Sequence, residues 1–307
     1  MAQLKVGITP SSFASSNPAP KIALEKAGIE VIDNPYKRRL SEDEAFDFLS
    51  DKDGLIAGLE PLTEKVMGNS KSLKAIARVG IGIENIDLDA ARKLSIKVSN
   101  TPDGPTNAVA EMTVTAALML SRKLLEANHE LHAGRWTKII GRGLTGQKVL
   151  FVGYGRIGQN AASLMRIFGA EILVCDPFIE KTQLTENEQL VLLNEGLAQA
   201  DIISLHANSR DIIIGPEQFD SVKNGAILLN SARGELVDEA ALIQAIESGK
   251  IASAWFDAFW EEPYKGRLLE FDNIILSPHM GTYTEQCRLS MEMDAVNNLI
   301  RDLGIQK

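Results

Sequence analysis

VLFVGYGRIGQNAASLMRIFGAEILVCD, residues 149–176, is the stretch that decides the fold. An apolar strand runs into Gly153, Gly155 and Gly158, which fit the pattern G-x-G-x-x-G, and a helical segment follows them. The first glycine of such a turn permits the tight bend, the second lets the backbone approach a pyrophosphate, and the third lets helix and strand pack closely. The next strand ends in Asp176, 23 residues after Gly153. The stretch therefore predicts a strand–helix–strand unit that binds a dinucleotide.

The acid at the end of the second strand also selects the cofactor. Asp176 stands about where an acid contacts the ribose hydroxyls, and it would repel a phosphate on that ribose. Backbone N–H groups at the start of the helix, around Arg156 and Ile157, would face the pyrophosphate. We therefore expect NAD rather than NADP.

Short apolar runs alternate with helical segments on both sides of that stretch. The first hundred residues contain the runs LKVGIT, IEVID, GLIAG, LKAIARVG and IKVSN, and a second series continues with DIISLH, GAILLN, IASAWF and NIILS. Such alternation predicts parallel sheets covered by helices. A long helix that is apolar nearly all round is expected from about residue 105 to 132, buried between two bodies.

The last helical segment, from about residue 284 to 303, decides how the two series are connected. The second sheet already has a full set of helices, so we expect this helix to pack on the first sheet. The sequence thus predicts an α/β fold with two doubly wound parallel-sheet domains. An NAD-binding Rossmann domain of residues 102–283 would be inserted into a flavodoxin-like substrate domain of residues 1–101 plus 284–307, and two links would form a hinge.

Composition narrows the range of partners. The chain has 307 residues, 45% hydrophobic content, a mean hydropathy of -0.04, a net charge of -9 and a pI near 5.1. These values favour two cores of ordinary size and give no basic field for nucleic acid or anionic lipid, whereas a small anion could still bind in a local cationic pocket. We expect no transmembrane segment and no signal peptide.

The number and spacing of the cysteines indicate the cellular compartment of the protein. Cys175 and Cys287 are too few for a disulfide scaffold, and neither has the spacing of a metal site. We therefore expect a cytoplasmic protein without a bound metal.

Hydride transfer at a carbinol carbon needs an acid/base group on the oxygen, and histidine suits that role near neutral pH. His129 and His132 lie on a polar flank of the long helix, where a solvated or packing role is expected. His206 ends the strand DIISLH, but nothing in the sequence supplies it with an acid. His279, in NIILSPHMG, follows a strand and a proline, and by itself would more often be a structural loop residue.

Three further side chains favour a catalytic rather than a structural role for His279. Arg233 follows the strand in GAILLNSARGEL, residues 225–236, and Asp257 and Glu262 follow IASAWF. In an open α/β sheet the carboxyl ends of the strands face the cofactor, and these side chains share that edge with His279. A carboxylate beside an imidazole favours the protonated ring and fixes its tautomer, while an arginine offers a fork to a substrate carboxylate. Together they predict a reaction centre.

At this point the chain resembles the D-specific 2-hydroxyacid dehydrogenases over nearly its whole length. The matching stretches are RVGIGIENIDLDAARKLSIKVSNTP, NAVAEMTVTAALML, VGYGRIGQ, GAILLNSARGELVDEAALIQAIESGKIASAWFDAFWEEP and DNIILSPHMG. The resemblance implies that His279 is the acid/base, Glu262 its charge partner and Arg233 the group that holds the substrate carboxylate and polarises the reacting oxygen. It also implies that Asp257 contacts the nicotinamide amide. The expected cofactor-binding residues are Gly153, Gly155, Arg156, Ile157, Gly158, Asp176, His206, Ala232 and Asp257, and the expected substrate-binding residues are Arg78, Val79, Gly80 and Gly82.

Within the family the chain looks most like phosphoglycerate dehydrogenases without a C-terminal regulatory domain, by the stretches GLEPLT, ARVGIGIENID and NTPDGPTNAVAE. It departs from the family pattern at Gly58, Glu84 and Asn208-Ser209-Arg210. Glycerate, hydroxypyruvate, glyoxylate and D-lactate therefore stay open as substrates. Corepressors built on the same scaffold, which bind NAD(H) to sense it, are an alternative of another class. The family habit is a homodimer, with the long helix from Pro105 as a possible interface.

Overall fold

The computed structural model describes residues 3–305 and contains two sheets in which every pair of neighbouring strands is parallel. The chain divides into two compact units, one formed by Met1–Pro105 with Thr282–Lys307 and the other by Thr106–Gly281. The prediction of an α/β fold with two doubly wound parallel sheets is confirmed.

The first unit is built on five strands and four helices that precede residue 105. The strands are β1 (Lys5–Ile8), β2 (Glu30–Asp33), β3 (Gly54–Ala57), β4 (Ala75–Arg78) and β5 (Lys97–Ser99), and the helices are α1 (Ala19–Lys26), α2 (Glu42–Leu49), α3 (Glu64–Gly68) and α4 (Leu88–Lys93). The strand order is β2-β1-β3-β4-β5, the flavodoxin-like arrangement. The carboxyl ends of β1, β3 and β4 are therefore neighbours.

The second unit is built on seven strands. They are β6 (Lys148–Val152), β7 (Glu171–Cys175), β8 (Glu188–Leu190), β9 (Ile202–Leu205), β10 (Ala226–Asn230), β11 (Ile251–Phe256) and β12 (Ile274–Leu276), in the order β12-β11-β10-β9-β6-β7-β8. The order reverses between β6 and β9, and ligands of open α/β sheets bind outside the carboxyl ends of the strands at such a point. Its helices are α5 (Pro105–Ser121), α6 (Leu124–His132), α7 (Arg156–Ile167), α8 (Leu193–Gln199), α9 (Pro216–Ser221) and α10 (Glu239–Glu247).

The seven-stranded sheet is buried on both faces because successive strand residues point to opposite sides. Val149 and Phe151 pack in one apolar cluster with residues of α5 and α7, whereas Leu150 and Val152 pack in another with residues of α8, α9 and α10. This explains why the strand sequences read as continuous apolar runs rather than as alternating ones.

The last helix, α11 (Glu285–Asp302), packs on α1 and on β3, β4 and β5 of the first unit. Its N-cap is Thr284, whose hydroxyl accepts a hydrogen bond from the backbone N–H of Cys287. Gly54 leaves room for it, because a Cβ there would lie 3.3 Å from methyl groups of both Leu299 and Leu303. The final segment of the chain thus completes the core of the unit in which the chain begins.

The expected helix from 105 to 132 is two helices instead of one, and the expectation of burial is wrong for the second helix, α6, in which no side chain is buried. Lys123 adopts a left-handed conformation with φ of 51°, which ends the α-helical path between α5 and α6. No glycine or proline marks that position in the sequence SRKLL, so the break could not be read from residue type. The short elements α3 and β8 were also not predicted.

Candidate active site

The carboxyl ends of three neighbouring strands bring the expected reaction centre together. In the registers of β10 with β11 and of β11 with β12, Asn230 pairs with Phe256 and Phe256 pairs with Leu276. The turns that follow these strands therefore lie side by side, and they carry Arg233, Glu262 and His279 at one edge of the sheet.

His279 is hydrogen-bonded to Glu262. The imidazole Nδ1 lies 2.9 Å from Oε1 and 3.0 Å from Oε2 of the Glu262 carboxylate. Because an ionised carboxylate can only accept hydrogen bonds, Nδ1 carries a ring proton and donates it. The His279 backbone is left-handed, with φ of 52°, and its N–H donates to the Ser277 carbonyl at 2.9 Å. The side chains are 42% and 26% exposed, so a substrate can reach the ring while the carboxylate holds it. The other ring nitrogen, Nε2, is left to exchange a proton.

A buried asparagine shapes the turn that presents Arg233. The Asn230 side chain accepts a hydrogen bond from the Ala232 N–H at 3.0 Å and donates one to the Arg233 carbonyl at 2.8 Å. The Arg233 guanidinium in turn donates to the Ala232 carbonyl at 2.8 Å. Sequence reasoning missed Asn230, although an asparagine at a strand end just before a turn is a known signal for such local hydrogen bonding.

The absence of a side chain at Gly234 places the Arg233 turn against the segment that leads to Glu262. A Cβ on Gly234 would lie only 2.3 Å from both the Phe259 carbonyl carbon and the Trp260 nitrogen, so no larger residue fits there without moving backbone. The two turns are therefore fixed relative to each other by direct backbone packing.

Aromatic side chains support the turn that carries Glu262. Trp260 donates from Nε1 to the Val237 carbonyl at 2.8 Å, and the Tyr264 hydroxyl donates to Glu239 Oε1 at 2.5 Å. Burial, and next this hydrogen bond, raise the pKa of Tyr264 to about 12, so the hydroxyl keeps its proton and stays a donor. Phe259 and Tyr264 stack with ring centroids 4.8 Å apart. These contacts fix the position of the turn that carries Glu262.

Asp257 holds the other side of the His279 turn. Its carboxylate is 2% exposed and accepts from the Ser277 hydroxyl at 2.6 Å, the Met280 N–H at 2.9 Å and the Gly281 N–H at 2.7 Å. Sequence reasoning expected Asp257 at the cofactor and did not find this role. A carboxylate offers about four acceptor positions, so one remains beyond these three donors.

The glycine turn after β6 has the geometry that a pyrophosphate requires. Gly153 has φ of 90°, and a Cβ there would lie 2.5 Å from the Ala207 nitrogen; a Cβ on Gly158 would lie 2.6 Å from the Gly153 carbonyl oxygen. A Cβ on Gly155, by contrast, would meet nothing within 4 Å. Two glycines thus allow close backbone packing, while the third leaves an open backbone face beside the start of α7, where Arg156 and Ile157 begin the helix. This arrangement fits the phosphates of a dinucleotide.

The acid at the end of β7 is oriented by the same turn. Asp176 Oδ2 accepts from the Tyr154 N–H at 2.7 Å, and Oδ1 accepts from the Phe178 N–H at 2.8 Å. Each oxygen keeps a lone pair for a further donor, which a ribose hydroxyl can supply. The residues present therefore fit NAD.

His206 is a different kind of histidine. Its ring stacks on Phe151 at 5.6 Å between centroids, and Nε2 is hydrogen-bonded to the Ser204 hydroxyl at 2.8 Å. Burial lowers the pKa of His206 to about 4, so the ring is neutral at physiological pH. Because it lacks an acid partner, it is suited to packing beside the glycine turn rather than to proton transfer.

The similarity of this chain to known proteins agrees with the geometry of the site. The sequence profile described as "D-isomer specific 2-hydroxyacid dehydrogenase, NAD binding domain" matches residues 114–281. A hydroxypyruvate reductase of Thermotoga maritima is 33% identical over 297 residues, which cover 94% of this chain and 95% of the relative. The chain belongs to the D-isomer specific 2-hydroxyacid dehydrogenase family. The NAD-dependent oxidoreductase class and the NAD cofactor expected from the sequence are thereby confirmed.

Other members of the family differ in length and in name. A D-3-phosphoglycerate dehydrogenase of Methanocaldococcus jannaschii is 38% identical over 261 residues, but the match covers 81% of this chain and 49% of that relative. The chain thus spans about half the length of the phosphoglycerate dehydrogenases that it matches. The solved structure of a protein from Thermus thermophilus superimposes with a TM-score of 0.89 at 30% identity and covers 98% of this chain and 97% of its own.

The expected substrate residues lie at the end of β4 in the first unit. The Val79 N–H donates to the β3 backbone at 3.0 Å, and the Gly80 N–H donates to Thr101 Oγ1 at 2.8 Å, so both donors have acceptors within the unit. The Arg78 guanidinium is folded back over the turn and donates to the Val79 carbonyl. Gly80, with φ of 134°, makes this possible because a Cβ there would overlap the guanidinium. Gly82 follows two residues later, partly exposed.

Metal sites and membrane spans are both missing from the described part of the chain. Among residues 3–305, no group of three or more His, Cys, Asp or Glu side chains is placed to hold a metal ion. Within the same range, no helix combines the length and apolar character needed to cross a membrane.

Proposed function

We propose that this family member interconverts a D-2-hydroxy acid and its 2-keto acid, with His279 as acid/base, Glu262 as its charge partner and Arg233 as the group that holds the substrate carboxylate and polarises the reacting oxygen. The observation that carries the proposal is the bond from His279 Nδ1 to Glu262, which leaves Nε2 free to exchange the proton. We assign cofactor binding to residues 102–283 and substrate binding to residues 1–101 with 284–307.

The chain's own residues account for the movement of the proton. In the oxidation direction, neutral His279 takes the hydroxyl proton of the substrate on Nε2, and Glu262 stabilises the imidazolium that results. In reduction the imidazolium returns that proton to the carbonyl oxygen. Arg233 supplies a planar fork whose two N–H groups match a carboxylate. Bound NAD supplies the hydride acceptor, and NADH the donor.

The turn after β4 is our candidate for the second part of the substrate site. We assign Arg78 and the backbone at Val79, Gly80 and Gly82 to the substrate carboxylate. Support comes from the position of this turn at the carboxyl edge of a doubly wound sheet and from the folded-back guanidinium, which adds positive charge to it. A carboxylate bound here would share the N–H groups that already have acceptors in the unit.

Two substrate types follow from the relatives named above. One is named for hydroxypyruvate and matches over almost its entire length, whereas the other is named for 3-phosphoglycerate and matches over half. We therefore place the substrate among three-carbon 2-keto acids and 2-hydroxy acids, with or without a terminal phosphate.

A steady-state assay tests the proposed activity. Purified protein with NADH is offered hydroxypyruvate, glyoxylate, pyruvate and 3-phosphohydroxypyruvate, and oxidation of NADH is followed by absorbance. We expect turnover with at least one of them, and turnover lost in the His279→Gln variant. Tight NADH binding without oxidation by any of these acids would instead favour an NAD(H)-sensing, corepressor-like protein, the alternative of another class.

We also propose that the protein forms a homodimer through α5, α6 and the segment that follows. Large apolar side chains are exposed there, with Trp136 at 82% and Ile140 at 91%, and Leu124 and Leu131 also exposed. Exposed apolar side chains that form a contiguous patch mark an interaction surface, and we propose that these side chains form such a patch. Light scattering should give twice the chain mass, and Trp136→Glu should shift the mass toward the monomer.

The cytoplasm is the location that we propose. Cys175 and Cys287 are both free thiols, as expected in a reducing compartment. Fractionation of the source cells, with the protein detected by antibody, tests this.

A further inference from the structure

A buried serine joins a tryptophan and an aspartate beside the turn that carries His279. Ser277 comes directly after β12, Trp255 lies in β11 and Asp257 directly follows β11, and all three are buried. Trp255 Nε1 lies 2.9 Å from the Ser277 hydroxyl oxygen, which lies 2.6 Å from Asp257 Oδ1. Because an indole N–H can only donate, the serine oxygen accepts from Trp255 and directs its own proton to Asp257. The hydroxyl therefore has one fixed orientation.

The chain after Ser277 folds around the Asp257 carboxylate. Besides the serine hydroxyl, the N–H groups of Met280 and Gly281 donate to this carboxylate at 2.9 and 2.7 Å. Successive N–H groups of a tight turn form a concavity that suits an anion. Gly281 has to be small there, because a Cβ would lie 3.0 Å from Asp257 Oδ2 and 3.4 Å from a methyl group of Val109 in α5. Three donors thus close the turn on one carboxylate.

This closed turn requires a costly backbone conformation at His279. Its φ of 52° lies in the left-handed region, which a residue with a Cβ adopts only where the surrounding contacts enforce it. The three donors to Asp257 lie on both sides of His279 in the chain, with the Ser277 hydroxyl before it and two N–H groups after it. If the serine donor is lost, the backbone can relax, and the imidazole moves with it.

We infer that Ser277 is a positioning residue for His279. The Ser277 hydroxyl, oriented by Trp255, fixes the Asp257 carboxylate. That carboxylate holds the left-handed turn in which Nδ1 of His279 reaches Glu262 at 2.9 Å. The inference rests on the function proposed above, since it concerns the residue to which proton transfer is assigned. Ser277 is buried and makes both of its hydroxyl bonds inside the protein, so it acts on the reaction only through the turn.

Ser277→Ala removes the hydroxyl and leaves Trp255 and Asp257 in place. With saturating NADH and the 2-keto acid that the wild type reduces best, kcat should fall at least about tenfold, because a displacement of about an ångström at a catalytic group is costly. The pH at which reduction fades should also move lower, because the imidazole loses its contact with Glu262. A purely structural role of Ser277 would lower the melting temperature and leave this pH unchanged.

Ser277→Thr and Ser204→Ala are the matched controls. Threonine keeps the hydroxyl, so Ser277→Thr should retain most of the wild-type kcat and the wild-type pH profile. Ser204 is also buried, stands two residues before a histidine as Ser277 does, and is hydrogen-bonded to His206 at 2.8 Å. Because His206 exchanges no proton in the proposed mechanism, Ser204→Ala should leave the pH profile unchanged.

A folded Ser277→Ala variant with the kcat and pH profile of the wild type would overturn the inference. An equal shift of the profile in Ser204→Ala would do the same, because the effect would then not belong to the His279 turn. If Ser277→Ala does not fold, Gly281→Ala takes its place, since its Cβ presses on the Asp257 carboxylate from the other side of His279. It should move the profile in the same direction, and an unmoved profile would contradict the inference.

Failure of the wild type to reduce any 2-keto acid would count against the proposed function instead. The crystal structure of Ser277→Ala then tests the inference without an assay of activity. A His279 ring displaced from Glu262, with its backbone outside the left-handed region, would support the positioning role. A turn that superimposes on that of the wild type would contradict it.

Discussion

Two histidines at the same edge of one sheet have opposite surroundings. His206 follows β9, stacks on Phe151 and is kept neutral by burial, which lowers its pKa to about 4. His279 follows β12, is partly exposed and is hydrogen-bonded through Nδ1 to Glu262. A place at the carboxyl edge is therefore not enough to make a histidine a candidate acid/base group. A partner carboxylate and access to solvent are the features that distinguish His279 as the candidate.

Replacing each histidine in turn gives the largest expected difference. His279→Gln should lower kcat for reduction by at least about 10²-fold, since it removes the acid/base group. His206→Gln should cost much less, because its ring exchanges no proton in the proposed mechanism. Both are measured with saturating NADH, and circular dichroism checks the fold. Equal losses in the two variants would remove the distinction between the two sites.

Arg233→Lys tests the group beside the acid/base pair. A lysine keeps the charge but cannot form the two parallel hydrogen bonds of a guanidinium, so kcat/KM should fall on the order of 10²-fold. NADH binding, followed by fluorescence titration, should stay close to wild type. Near-normal turnover in this variant would show that a point charge suffices and that the fork has no role.

Gly234→Ala tests whether backbone packing fixes the two turns of the reaction centre. The added methyl group would lie 2.3 Å from the Phe259 and Trp260 backbone, so one turn must move. A displacement of about an ångström should cost roughly tenfold or more in kcat. Gly143→Ala is the matched control, because a Cβ there meets nothing within 4 Å. A Gly234→Ala variant as active as this control would separate the packing from catalysis.

The lowered pKa of His206 should be visible in the acid stability of the protein. The unfolded chain protonates His206 near its ordinary value of about 6.5, whereas the folded chain holds the pKa near 4. Stability is therefore complete above the unfolded value and is lost as pH falls from about 6.5 toward 4. Between pH 7 and pH 5 this residue should account for about 2 kcal/mol of the loss in the free energy of unfolding.

Urea unfolding at both pH values checks this. Between pH 7 and pH 5, the decrease in the free energy of unfolding should be about 2 kcal/mol smaller in His206→Gln than in the wild type. It should equal the wild-type value in His129→Gln, which alters an exposed histidine on α6. An unchanged loss in His206→Gln would mean that the ring is already protonated, or solvated, in the folded protein.

The sequence predicted the fold, and it predicted that Arg233, Glu262 and His279 lie at one edge of a sheet, because the signals for both are local or periodic. Glycine spacing after β6, continuous apolar runs and polar residues at strand ends each follow from backbone sterics and burial. The break at Lys123 was not predictable, since a left-handed lysine carries no signal in its residue type.

The contacts that support the candidate site could also not be predicted from the sequence. Asn230, Ser277 and Tyr264 act through partners that are distant in the chain or depend on the exact path of a turn. The burial of Glu60 beside the Thr9 hydroxyl was likewise not predicted, because it depends on the pairing of β1 with β3. Residue types at strand ends predict which groups meet, while side-chain burial and hydrogen-bond partners decide what each group can do.

The pH dependence of reduction in wild type and in Glu262→Gln tests the central claim most directly. Reduction needs the protonated imidazole, so kcat/KM should fade as pH rises, and removing the charge beside the ring should make it fade at a lower pH. We expect the glutamine variant to keep some activity in acid and to lose it at a lower pH than the wild type does. Two superimposable profiles would contradict the pairing of His279 with Glu262 as the catalytic unit.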